Sequence, residues 1–156
     1  MEKCRLEQRK SKQFNAKCKF EKKVALIKFH PSFNYKLIDY LVDSEYLGII
    51  FEGTGLGHLS EDCYSSIDNA VKRGLLVGMT SQCLWGRVNL SVYDSGRDLI
   101  KRGMIPLGDM IPETALVKMM WALGNTQSHE KAKKLMLENI AGEYIERSPF
   151  ERRQKI

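Results

Sequence analysis

Three apolar runs of six residues, VALIKF at 24–29, LGIIFE at 47–52 and LLVGMT at 75–80, alternate with stretches of helical period. Runs this short, with little polar alternation, read as strands buried on both faces, the pattern of a parallel sheet. Pro31 closes the first, and Asn34 caps a helix whose apolar positions Leu37, Ile38, Leu41 and Val42 share one side. Ahead of the third, Ser60 or Glu61 starts a helix through Ile67, Ala70 and Val71 that Gly74 stops. Strand, helix, strand, helix, strand in this order implies right-handed parallel crossovers. The expected fold class is α/β, an open parallel sheet in a three-layer, flavodoxin- or Rossmann-like arrangement.

Beyond residue 80 the pattern loosens. SQCLWGR at 81–87 reads as a loop at the carboxyl end of the third strand, where open α/β sheets place ligands. Residues 97–102 form a short helix ended by Gly103. MIPL at 104–107 suits an edge strand, because Pro106 lacks the donor a central strand needs. Pro112 suits the first turn of a helix carrying Ala115, Leu116, Met119, Met120 and Leu123. Ser128 caps the last helix, with Leu135, Met136 and Ile140 as its stripe and Gly142 as its end.

At 156 residues and 43% hydrophobic content the chain holds one core, expected over 24–146, with a leader at 1–23 and a tail at 147–156. The net charge of +6 is local: residues 1–23 carry nine Lys/Arg against three Glu, and the remaining 16 basic and 16 acidic residues cancel. The leader therefore reads as a solvated linker or frayed helix, or as a segment that touches RNA or another acidic phosphate. Cys4, Cys18, Cys63 and Cys83 form no C-x-x-C pair, so no metal site is expected, and a reducing, cytoplasmic setting fits best. No run of about 18 apolar residues predicts a membrane span.

The glycine turn Gly53-Thr54-Gly55-Leu56-Gly57-His58 follows the second strand. Its G-x-G-x-G spacing satisfies neither the dinucleotide fingerprint nor a P-loop, and no lysine follows before Lys72. Two readings stand: a purely structural turn, or one whose glycines permit positive φ and bring the backbone close to a ligand. His58, at the end of the turn, is placed to reach a ligand or a partner chain. Cys83 is either a thiol nucleophile beside His58 or, by default, a buried inert cysteine. Ser81 and Gln82 either orient a polar ligand or cap the sheet end. Glu113 sits where a helix dipole favours a carboxylate. Trp121 with Met119 and Met120 belongs to core or subunit interface. H-E-x-x-H, G-x-S-x-G and ligand-spaced carboxylates are missing, so no catalytic residue is assigned within this chain.

Taken together, EGTGLGH, TSQC, GRVN, VYDSGR and PETALVK, in that order over residues 22–145, resemble the C-terminal lobe of the L-asparaginase/glutaminase family. The chain is most similar to the branch formed by D subunits of archaeal glutamyl-tRNA(Gln) amidotransferases. The resemblance implies an asparaginase-type C-terminal α/β lobe whose larger N-terminal counterpart supplies a threonine nucleophile in T-G-G-T and T-D-T motifs, which this sequence lacks. It further implies that the chain is a fragment or the product of a truncated gene, inactive alone. As part of a homodimer, such a lobe completes the neighbour's active site for glutamine or asparagine. Related asparaginases read G-x-G-N here, with Leu56 in place of that asparagine, so His58, Gly55 and Gly57 become the candidate substrate-binding residues. An E subunit would use the released ammonia, with ATP and magnesium, to convert glutamyl-tRNA(Gln) to glutaminyl-tRNA(Gln); no cofactor is expected in this chain. Rival readings are a lobe of a general L-asparaginase, and a freestanding α/β module binding a nucleotide or small anion.

Overall fold

The computed structural model describes residues 16–145; the expected tail at 147–156 and the first fifteen residues of the leader lie outside them. Four parallel strands, β1 (Val24–Lys28), β2 (Gly48–Gly53), β3 (Leu76–Ser81) and β4 (Ile105–Pro106), stand in the order β1-β2-β3-β4. The pairing sets Ile49 opposite Val77 and Phe51 opposite Met79. The helices are α1 (Lys36–Asp43), α2 (Tyr64–Lys72, after a 3-10 turn at Glu61–Cys63), α3 (Asp94–Lys101), α4 (Pro112–Asn125) and α5 (His129–Leu137).

Because sequence order and spatial order coincide, crossovers of one hand place α1, α2 and α3 on the same face of the sheet. Ile38, Leu41 and Val42 of α1, Ile67 and Ala70 of α2 and Leu99 of α3 pack there against Ile49, Phe51, Val77 and Met79. The other face is covered by α4 and α5, whose Ala115, Met119, Ala122, Ala132 and Met136 meet Val24, Ile50, Leu76 and Ile105. Side chains of β2 and β3 alternate between these two cores, as the pleat requires. Phe51 is fully buried, with its ring edge-on to Phe33 at 6.4 Å. Each such buried side chain contributes about 1.5–3 kcal/mol.

Asn34 lies just ahead of α1, one residue before its N-cap Tyr35, and its side-chain oxygen accepts the Lys36 amide at 3.0 Å. Elsewhere the structure departs from the sequence expectations at several places, among them the start of α3, read at Arg97 and observed at Asp94. β1 is an edge strand, and Leu26, expected to be buried, is 37% exposed. The cause is the oblique path of α4, which starts beside the ends of β2 and β3 and finishes against Lys19 and Phe20 ahead of β1. α5 ends at Leu137 rather than Gly142, and Ile140 is exposed. There the Glu138 carbonyl accepts from Lys118 Nζ and the Glu143 carboxylate accepts the Ile140 and Ala141 amides, which folds 138–143 into a turn. The last part of the leader is docked: Trp121 Nε1 donates to the Lys17 carbonyl at 3.0 Å, Asn125 Nδ2 to that of Lys19 at 2.7 Å, and the Glu21 amide to Met120 O at 2.8 Å. Among the described residues no helix is long and apolar enough to cross a membrane.

Candidate functional site at the carboxyl end of the sheet

β2 runs out at Gly53, where a Cβ would lie 2.6 Å from Met79 Sδ and 3.2 Å from Gly57 Cα. The chain then closes a five-residue turn: the His58 amide donates to Thr54 O at 2.9 Å, the Gly57 amide to the same oxygen at 2.9 Å, and the Thr54 amide to His58 O at 3.2 Å. Positive φ falls at Gly55 (+53°) and Gly57 (+106°), values that glycine adopts without the Cβ clash. The two glycines face different surroundings. At Gly57 a Cβ would meet Met79 Cγ at 2.8 Å and Leu90 Cδ2 at 3.0 Å, so the close approach there is to the protein's own core. At Gly55 nothing stands within 4 Å of a Cβ, and the backbone is open.

The loop after β3 holds the turn in place. Ser81 Oγ donates to Gly55 O at 2.6 Å and accepts the Cys83 amide at 3.0 Å. Gln82 ties three strand ends together: its amide donates to Gly53 O at 2.9 Å, and its Nε2 to Glu52 O at 2.9 Å and to Phe29 O. Ser81 and Gln82 are therefore sheet-end caps. They satisfy carbonyls that would otherwise face solvent beyond the last ladder pair.

His58 is half-buried, with Nδ1 3.2 Å from Ser95 Oγ in the first turn of α3 and its ring 5.2 Å from that of Tyr93. The Tyr64 hydroxyl donates to the Ser95 carbonyl at 3.3 Å, which steadies that contact from below. Nε2 has no hydrogen-bond partner among the described residues. The Ser95 hydroxyl can donate to a bare Nδ1 or accept from a protonated one, so the contact orients the ring and leaves Nε2 facing outward. Sequence reasoning does not reach Ser95 and Tyr93 as neighbours of His58, because 37 residues separate His58 from Ser95 and no periodicity links them.

Cys83 does not join His58. Its side chain is exposed and borders a cavity of about 190 Å³ shared with Glu52, Gln82, Asp109 and Glu113, which His58 does not line. The expectation of a buried cysteine at 83 is thus corrected: the loop lifts it out of the sheet. Cys63 is the buried thiol, pushed up to about 11 by burial and by the nearby Asp62 carboxylate. Iodoacetamide at pH 8 is expected to modify Cys83 and to spare Cys63, since the thiolate is the reactive form; peptide mass mapping of the two positions checks this. Among the described residues no group of His, Cys, Asp and Glu is arranged to hold a metal ion.

With this sheet order and a glycine turn at the end of β2 buttressed by the loop after β3, the chain belongs to the glutaminase/asparaginase C-terminal domain family, whose pattern matches residues 23–136. Among relatives, it is 57% identical over 126 residues to the D subunit of glutamyl-tRNA(Gln) amidotransferase from Metallosphaera sedula, a match covering 81% of this chain and 29% of that protein. The corresponding protein of Pyrococcus furiosus is 58% identical over 125 residues, covering 80% and 28%. Of solved structures, the thermostable L-asparaginase from Thermococcus kodakarensis superposes with a TM-score of 0.75 at 34% identity, over 81% of this chain and 39% of the other. L-asparaginase I from Vibrio cholerae gives 0.77 at 27% identity, over 86% and 41%. The chain spans under a third of the length of the curated relatives it matches.

Proposed function

We propose that this chain is the C-terminal lobe of an amidotransferase D-type subunit, and that it completes an amide-hydrolysing site whose threonine nucleophile lies on an N-terminal lobe. The observation that carries the reading is the Thr54–His58 turn, closed on itself and fastened to Ser81, in a chain over half identical to named D subunits. Two lobes from paired subunits enclose the substrate, glutamine or asparagine. His58, oriented by Ser95, donates or accepts a hydrogen bond at the substrate, and the open backbone at Gly55 lets the neighbouring subunit approach. Fixing the imidazole beforehand lowers the entropy lost on binding and aims it at the reacting amide. The ammonia released passes to an E subunit, where ATP and magnesium activate glutamyl-tRNA(Gln) for amidation. No group in this chain is assigned the nucleophile, so the isolated chain has no hydrolytic turnover.

The test is reconstitution. Pure 1–156 protein is expected to release no ammonia from glutamine or asparagine, and co-expression with the N-terminal lobe of the Metallosphaera sedula relative is expected to restore release. In that assembly His58→Ala should reduce kcat/KM by about 10²-fold or more, and Ser95→Ala by about 3–10-fold, in line with lost positioning. Turnover by the isolated chain, or a stable reconstituted assembly indifferent to His58→Ala, would sink the reading. The ratio of rates on the two amides separates a glutamine-using amidotransferase lobe from that of an L-asparaginase, the function named for the two solved neighbours.

A further inference from the structure

The loop after β3 carries an apolar tip. Leu84 and Trp85 are the two central residues of a turn closed by the Gly86 amide on the Cys83 carbonyl at 3.0 Å, and they are 90% and 100% exposed. Gly86 permits the tightness of that turn, since a Cβ there would lie 2.5 Å from Cys83 Cβ. Turn centres favour Gly, Pro, Asn, Asp and Ser, which set or tolerate the backbone angles. Leu-Trp answers none of those needs. A single exposed leucine is ordinary, but a tryptophan fully exposed beside it is not. Ile111, also exposed, walls the cavity that Leu84 borders, so the tip extends into a patch.

Both feet of the loop are fastened to the glycine turn. On the entering side Ser81 Oγ donates to Gly55 O at 2.6 Å and accepts the Cys83 amide at 3.0 Å. On the leaving side the Asn89 amide donates to Leu56 O at 3.0 Å and the Val88 amide to Gly108 O at 2.8 Å. Trp85 is thereby held on a braced loop in one cluster with the open backbone of Gly55, at the end of the sheet where His58 stands. Bracing before contact lowers the ordering cost of association. A tryptophan brings roughly 150–250 Å² of surface to a contact and is among the residues that dominate interface energies once desolvated.

We infer that Leu84-Trp85 is the anchor by which this lobe docks onto the nucleophile-bearing N-terminal lobe of the paired subunit, seated in an apolar socket there. This occupant rests on the amidotransferase reading above. Continuity selects it: whatever covers the glycine turn to close the amide site also covers a tip tied to that turn through Gly55 and Leu56. The chain spans under a third of its relatives' length, which leaves mass enough for such a lobe. Trp85 acts on assembly and His58 on the substrate, so their effects are separable.

The experiment takes the full 156-residue chain, alone and co-expressed with the N-terminal lobe of the Metallosphaera sedula relative. Hydroxyl-radical footprinting read by peptide mass is expected to find Trp85 strongly oxidised in the isolated chain and protected by about fivefold or more in the assembly. Tyr40, exposed on α1, should react equally in both. Sedimentation of serial dilutions should give Trp85→Ser an assembly Kd raised about 30-fold or more, and Leu84→Ser a smaller rise. Ammonia release that Trp85→Ser loses on dilution should return above its Kd, whereas His58→Ala should lower release without moving the Kd. Leu37→Ser, on the exposed side of α1, should keep the Kd within about twofold. Both tip residues are exposed, so their variants should fold as the wild type does, which circular dichroism checks. Trp85 equally reactive in the two states, or a Trp85→Ser assembly with wild-type Kd, would overturn the inference while glutaminase reconstitution stands. A loss persisting at saturation would assign Trp85 to the substrate, and protection already present in the isolated chain would assign its cover to a second copy or to residues 146–156; either overturns the docking role. If the wild-type chain forms no assembly, the amidotransferase reading fails as well.

Discussion

Lys118→Met is expected to destabilise the domain by about 3–5 kcal/mol, seen as a fall in Tm of roughly 10–15 °C. Lys118 lies on α4 with its ammonium against the Glu143 carboxylate, and the two side chains are 6% and 8% exposed. The same ammonium donates to Glu138 O and sits 5.7 Å from the Tyr144 ring centre. Removing it strands a buried carboxylate and frees the segment that follows α5. Lys118→Met/Glu143→Gln should recover most of the loss, because a buried pair replaced on both sides is close to neutral. Acid provides a second reading of the same contact. Burial pushes the Glu143 carboxyl up, but the Lys118 hydrogen bond and the amides of Ala141 and Ile140 outweigh it and hold it at about 2, against 4.5 for the free group. The folded state thus binds this proton more weakly than the unfolded state. Its stabilisation, on the order of 3 kcal/mol, is complete above pH 4.5 and lost as pH falls from 4.5 to about 2. The single variant should lose that acid dependence; an unchanged acid slope in urea titrations would assign the effect to other carboxylates.

Gly57→Val carries the second large effect, about 2–5 kcal/mol, with loss of the reconstituted glutaminase activity. A β-branched side chain at φ +106° is strained in the backbone, worth about 1–2 kcal/mol. Its Cβ also lands 2.8 Å from Met79 Cγ and 3.1 Å from Val88 Cγ1, in a packed core where overpacking adds about 1–3 kcal/mol. Gly55→Val is the internal control. It shares the positive φ but meets nothing within 4 Å, so it should show the backbone part alone. Denaturation midpoints of the two variants separate strain from packing, and equal losses would refute the asymmetry between the glycines.

The strands are legible in the sequence because their apolar runs are short and contiguous, and a run buried on both faces needs no partner to be recognised. The limits read for β2 and β3 lie within one residue of those observed. The edge strand β4 is equally legible, since Pro106 removes the donor that a further neighbour would need. Exposure of Leu26 is not legible, because burial of one face of β1 depends on where α4 crosses, which no local pattern encodes. The end of α5 escapes for a related reason: Ile140 continues the helical period, but Lys118 and Glu143 capture that backbone from another element. Lys118 itself reads in sequence as a polar position on an amphipathic helix, and nothing near it announces burial. At the candidate site, the turn, its glycines and His58 can be read directly, whereas the roles of Ser81, Gln82 and Ser95 require the fold.

The sequence by itself determined the layer order, the parallel sheet, the turn at the end of β2 and the family, because these follow from local period, turn chemistry and rare strings in register. Only the tertiary structure decided that Gly57 faces the core while Gly55 faces outward, that Cys83 is exposed and Cys63 buried, and that His58 is held by Ser95. Each of those is a contact between residues distant in sequence, and such contacts are fixed by how whole elements pack.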